Sequence, residues 1–112
     1  MGYKKVDYYK RKVKGYGKKV EHSWEKSQGI KWQYGGMDFF IEKDQCGYYI
    51  LSEGRSGMLT PTTNEWIEYK TIKSIQEDCI KMLENFGLDA FKACIERGVE
   101  KYGLSPLYVV NN

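Results

Sequence analysis

Two stretches of this 112-residue chain bring reactive side-chain types close together. His22 and Ser23 are adjacent, the two types that form a hydroxyl nucleophile and its base, and Glu53-Gly54-Arg55-Ser56-Gly57 gathers a carboxylate, a guanidinium and a hydroxyl in a glycine-rich turn. His22 belongs to an alternating segment in which Val20, His22 and Trp24 interleave with Glu21, Ser23 and Glu25. Neighbours on a strand point to opposite faces, so His22 and Ser23 cannot meet as base and nucleophile. With no orienting acid placed by the sequence, the single histidine reads as a structural or surface residue. In the second stretch a glycine-rich turn could aim backbone N–H groups at an anion. It lacks the lysine and glycine spacing of a P-loop or a dinucleotide fingerprint. A hairpin turn is the better reading, with Arg55 the residue that would touch a phosphate.

The remaining reactive types are scattered. Asp38, Glu42 and Asp44 spread over a strand and its turn, and although Asp38 and Glu42 share a strand face with Phe40, solvent-facing charge is the simpler account. Cys79 and Cys94 fall on apolar helical stripes and read as small core residues. Cys46, in a turn, has no cationic neighbour to make it a thiolate. Three widely spaced cysteines and one histidine provide neither a disulfide framework nor a zinc site. No catalytic, cofactor-binding or metal-ligating constellation is complete, so the expectation is a protein without cofactors that is not an enzyme. The least favoured alternative is a small enzyme using Glu53, Arg55 or His22.

Charge is distributed more tellingly than chemistry. Residues 1–19 hold eight basic groups against one acid, a local +7 that leaves −4 on the remainder of a chain whose net charge is +3. Such asymmetry steers association with polyanions. Tyr3, Tyr8, Tyr9 and Tyr16 interleave with these cations, a composition suited to stacking on bases while lysines follow phosphates. The candidate contact residues for nucleic acid or a partner are Lys4, Lys5, Tyr8, Tyr9, Lys10, Arg11, Lys12, Lys14, Tyr16, Lys18 and Lys19, with Arg55 added from the glycine-rich turn. The alternative is a solvated tail or a lysine-protected edge strand, which Gly15-Tyr16-Gly17 would turn into a hairpin with the strand at Val20.

The elements that must carry these residues follow from periodicity. A period of two marks strands at residues 20–25 and 30–34, and Gly35-Gly36 suits a two-residue hairpin returning through residues 37–42. Tyr48 to Ser52 is a further strand, with shorter ones expected at residues 58–60 and 66–70. A three-to-four period then sets Ile72, Ile75, Cys79, Met82, Leu83 and Phe86 on one stripe of a helix over 71–86. Thr71 is the expected N-cap, and Ser74 with Glu77 offers a capping box one turn later. A second helix is expected over 89–102, capped by Asp89 and stopped by Gly103, with Phe91, Cys94, Ile95, Val99 and Tyr102 inward. The fold class is α+β: a small antiparallel sheet of about four to five strands, followed by two C-terminal helices packed on one face. The division expected is a basic arm over 1–19 and a single domain over 20–112. No apolar run approaches the roughly 20 residues that cross a bilayer, and the N-terminus lacks a secretory signal, so a cytoplasmic protein without membrane contact is expected.

A small chain rich in Lys, Glu, Tyr and Ile, with the arm GYKKVDYYKRKVKGYGKK ahead of an α+β body, resembles the proteins of phages and mobile elements of low-GC Gram-positive bacteria, anti-CRISPR inhibitors among them. Its net charge departs from the acidic nucleic-acid mimics of that group. The resemblance implies inhibition by binding, with the arm on a guide RNA or its phosphate-rich channel and the body on a host nuclease or other nucleoprotein complex. A plain DNA- or RNA-binding domain is the alternative.

Overall fold

Alternating apolar and polar residues need a sheet with one face dry, and the chain supplies it as a four-stranded antiparallel meander. In the computed structural model, which describes residues 4–15, 21–60 and 68–109, β1 (Lys5–Lys14), β2 (Glu21–Tyr34), β3 (Met37–Lys43) and β4 (Tyr49–Glu53) lie side by side in chain order. Two helices follow, α1 (Ile72–Phe86) and α2 (Leu88–Tyr102), and then a 3-10 turn at Pro106–Tyr108. No helix among the described residues is long and apolar enough to cross a membrane.

The basic stretch is a strand of this sheet. β1 pairs with β2 along its whole length, from Lys5 opposite Ile30 to Lys14 opposite Glu21. The two strands expected at 20–25 and 30–34 are one continuous β2, so Ser27-Gln28-Gly29 does not interrupt the ladder. Gly35 and Gly36 form the expected hairpin turn with φ of 60° and 80°, conformations that any side chain would strain. The short strands expected later shrink to single bridges, Leu59 with Ser52 and Tyr69 with Tyr49, and residues 66 and 67 lie outside the described residues.

One face of the sheet offers Met37, Phe39, Ile41 and Leu51 to Ile72, Ile75, Cys79 and Leu83 of α1 and to Phe91 and Ile95 of α2. Each such side chain stabilises the fold by about 1.5 to 3 kcal/mol when fully withdrawn from water. Phe86, expected on the α1 stripe, stands largely exposed at the helix end and meets the edge of Phe91. Thr71 is the N-cap as expected, its hydroxyl accepting from the Ser74 N–H at 3.1 Å, and this places Ser74 inside the first turn rather than at the head of a capping box. Asp89 is not the cap of α2. Gly87 ends one helix and begins the next, its N–H donating to Leu83 and its carbonyl accepting from Phe91, with φ 98° allowing the abrupt change of direction. Asp89 lies in the first turn instead, where its charge complements the helix N-terminus.

The opposite face has a core of its own. Tyr8 is completely buried, its ring stacked on Phe40 at 4.6 Å and 3° although β2 runs between their strands. The ring crosses β2 over Gly29: a Cβ there would lie 3.0 Å from both Tyr8 Cε1 and the Ile41 carbonyl oxygen. Beyond Phe40 the Tyr8 hydroxyl donates to Glu42, which also accepts from Ser27 at 2.9 Å and pairs with Lys10 at 2.7 Å. Burial alone would raise the Glu42 pKa, but Lys10, Tyr8 and Ser27 together hold it below the ordinary carboxylate value.

Because space rather than φ is what Gly29 provides, Gly29→Ala is expected to cost about 1 to 3 kcal/mol in urea unfolding. The cost should be smaller in a Tyr8→Ala background, where half of the clash is gone. Equal costs in both backgrounds would disprove the crossing as its cause.

Candidate functional site

Of the twelve contact residues expected from the sequence, Tyr16, Lys18 and Lys19 lie outside the described residues, and the structure divides the other nine. Tyr8 is unavailable to any ligand, being a core residue. Tyr9 and Lys10 are half-buried, and Lys10 is bound to Glu42. Lys12 is exposed but paired with Glu25 across the β1–β2 ladder, and Lys26 of β2 pairs with Asp7 at 3.5 Å. Lys4, Lys5 and Lys14 are exposed, with no ion-pair partner among the described residues.

Arg11 turns inward. Its guanidinium carbon sits 5.1 Å from the Trp24 ring centre and 4.7 Å from that of Tyr102, and it donates to the Gly103 carbonyl at 3.0 Å. Burial lowers its pKa, while the Tyr102 and Glu53 oxygens oppose the shift. The guanidinium is therefore the clasp between β1 and the end of α2, not a reader of phosphates. His22 lies at the rim of this cluster, its ring 4.2 Å from Tyr102, an exposed residue with a structural neighbour.

The glycine-rich turn is a hairpin, and it does make an anion nest. The Arg55 N–H lies 2.8 and 2.9 Å from the two Glu53 carboxylate oxygens, and the Ser56 N–H 3.2 and 3.3 Å, so the chain's own carboxylate fills the position a phosphate would take. Arg55, the expected phosphate contact, is exposed and ion-paired with Glu96 at 3.0 Å. Around this nest the backbone is tied in three directions. The Gly57 carbonyl accepts from Arg11 of β1, the Arg55 carbonyl accepts from Ser105, and the Gly54 N–H donates to Asp38 of β3, each at 2.8 Å. Gly57, with φ 68°, packs so tightly that a Cβ would lie 2.4 Å from the Trp24 ring.

Beside the turn is an open cleft of about 490 Å³, walled by the start of β3, the end of β4, the middle of α2 and Tyr108. Asp38 lines it, accepting from Tyr108 at 2.6 Å and Gln33 at 2.8 Å, with Lys31 at 3.8 Å. Burial would raise its pKa, but these three partners bring it below the usual carboxylate range. Glu53, only 2% exposed, goes the other way: burial pushes it up to about 7 against the lowering effect of the Ser56 and Arg55 N–H groups. Glu53 and Arg55 were legible from the turn composition, while Asp38, Lys92 and Tyr108 come from elements far apart in the chain and had no local signal. Comparison with protein-family models, curated proteins and solved structures finds no match to this chain.

The Glu53 carboxyl titrates near 4.5 when unfolded and near 7 when folded, so between those values the folded state holds the extra proton. Its contribution to stability is fully present below pH 4.5 and is lost as pH rises through 7, by roughly 3 kcal/mol at most. In urea unfolding at a series of pH values, Glu53→Gln is expected to flatten that part of the profile. An unchanged slope would show that another group causes it.

Proposed function

We propose that this chain is a non-enzymatic binding protein that docks on a nucleic-acid-handling complex, with the basic rim of β1 toward the phosphates. The observation that carries the reading is the set of uncompensated lysines. On β1 and β2 the neighbouring lysines are matched, Lys10 by Glu42, Lys12 by Glu25, Lys26 by Asp7 and Lys31 by Asp38, and Lys43 of β3 lies over the Tyr49 ring, whereas Lys4, Lys5 and Lys14 remain free among the described residues. The free cations sit at the two ends of an edge strand, about 30 Å apart at the rise of an extended chain, a span suited to a polyanion and too long for a small anion. The contact would be electrostatic rather than stacked, because Tyr8 is committed to the core and Tyr9 is half-buried. An inhibitor of the phage type would act in this way, by occupation of a partner's charged channel. Direct binding to free RNA or DNA is the second reading, and the same lysines favour it.

The test is a Lys4→Gln, Lys5→Gln, Lys14→Gln triple variant compared with the unmodified protein by fluorescence anisotropy, against labelled RNA and DNA alone and against a purified guide-RNA–nuclease complex. The proposal expects the complex to be bound more tightly than free strands and the variant to lose about tenfold or more at moderate salt, its log–log salt slope smaller by about 2 to 3. Equal affinity for free strands would establish the second reading. No binding to either target, or binding that the variant retains, would overturn both.

A further inference from the structure

The cleft beside the Glu53 turn is walled by four segments remote from one another in sequence, and one of its charged groups stands without a direct partner. Each of its three carboxylates is occupied: Asp38 by Tyr108 and Gln33, Glu53 by the Arg55 and Ser56 N–H groups, and Glu96 by the Arg55 guanidinium. The remaining ionic group of the wall, Lys92 of α2, has no carboxylate within ion-pair distance among the described residues. Its ammonium is held over the β2–β3 turn, 3.4 Å from where a Cβ of Gly36 would stand. Met37 and Ile95, both buried core residues, contribute the apolar part of the wall.

A half-buried cation without a counter-charge, next to apolar surface in a space of this volume, is the arrangement of a small-molecule site. We propose that this cleft binds an organic monocarboxylate, its carboxylate on Lys92 and its apolar body against Met37 and Ile95. A single negative charge is what the one unpaired ammonium can offset. Phosphate esters carry more charge than one lysine offsets, and the carboxyl groups of Asp38 and Glu96 line the same cleft. A cationic ligand would have to displace Tyr108 or Arg55 from its carboxylate before it could be held. Glu53, whose proton stays on up to about pH 7, adds no full negative charge to the cleft under mildly acidic conditions. The site shares no residue with the lysine rim of β1 and does not rest on the polyanion reading.

Hexanoate is the probe, with hexanol and hexylamine as its neutral and cationic counterparts, each titrated at mildly acidic pH into the full chain while backbone amide shifts are followed by NMR. Hexanoate is expected to move the amides of residues 36–38, 53–56 and 92–96 in a saturable way and to bind about tenfold more tightly than hexanol. Lys92→Met, which keeps the aliphatic stem and removes the charge, should erase that preference, while Lys14→Met should leave it intact. Hexylamine binding as well as hexanoate, shifts scattered over the whole surface, or an undiminished preference in Lys92→Met would each overturn the proposal. The comparison of the three ligands on the unmodified protein stands even if the Lys92 variant fails to fold.

Discussion

One ring passing over one glycine governs this fold. Tyr8 is carried on the edge strand, yet it is spent on the third strand, stacked on Phe40 and bonded to Glu42. That reach is possible only because β2 has no side chain at residue 29 on this face. It gives a four-stranded sheet a second buried layer without a second set of helices, since the helices cover only the face that presents Phe39, Ile41 and Leu51. It also fixes the register of β1, because a shift of one residue would put Tyr8 on the other face and Arg11 on this one.

Polar groups complete what the ring begins. Glu42 is compensated by Lys10 and two hydroxyls, and Asp38 by Tyr108, Gln33 and Lys31. Glu53 has only two backbone N–H groups and holds its proton to a higher pH than either. The three carboxylates thus titrate differently for two reasons: Glu53 is the most deeply buried, and Asp38 and Glu42 have cations and hydroxyls turned toward them. The neutralised lysines of β1 and β2 belong to the same logic, since a sheet whose outer face carries both signs in register gains modest cross-strand attraction and leaves a short list of cations for other uses.

How far the sequence could be read depended on whether the deciding contact was local. The hairpin at Gly35-Gly36, the strand before Ser52, the cap at Thr71 and both helices were legible, because turn chemistry and periodicity act over a few residues. The α+β class followed from them. The continuity of β2 between the two expected strands was not legible, because Gly29 serves Tyr8, twenty-one residues earlier. Tyr8 and Arg11 looked like ligands for bases and phosphates because composition records a residue type and not the direction in which its strand turns it. The turn at residues 53–57 was recognised as a turn and as a possible anion nest, yet its occupant is the carboxylate that begins it. The cleft could not be found in this way, since Asp38, Lys92 and Tyr108 come together only once the sheet, α2 and the final turn have all been placed.

The contacts of the last described segment also have a consequence in time. Gly103 receives Arg11 across 92 positions, Ser105 donates to the Arg55 carbonyl, and Tyr108 reaches Asp38 across 70. During synthesis the ribosome makes residues 103–108 after everything they clasp. The sheet must emerge with Arg11 unclasped, Asp38 without its hydroxyl donor and the Glu53 turn missing one of its ties. Final closure is therefore a late, long-range event that waits for the last of these residues to leave the ribosome.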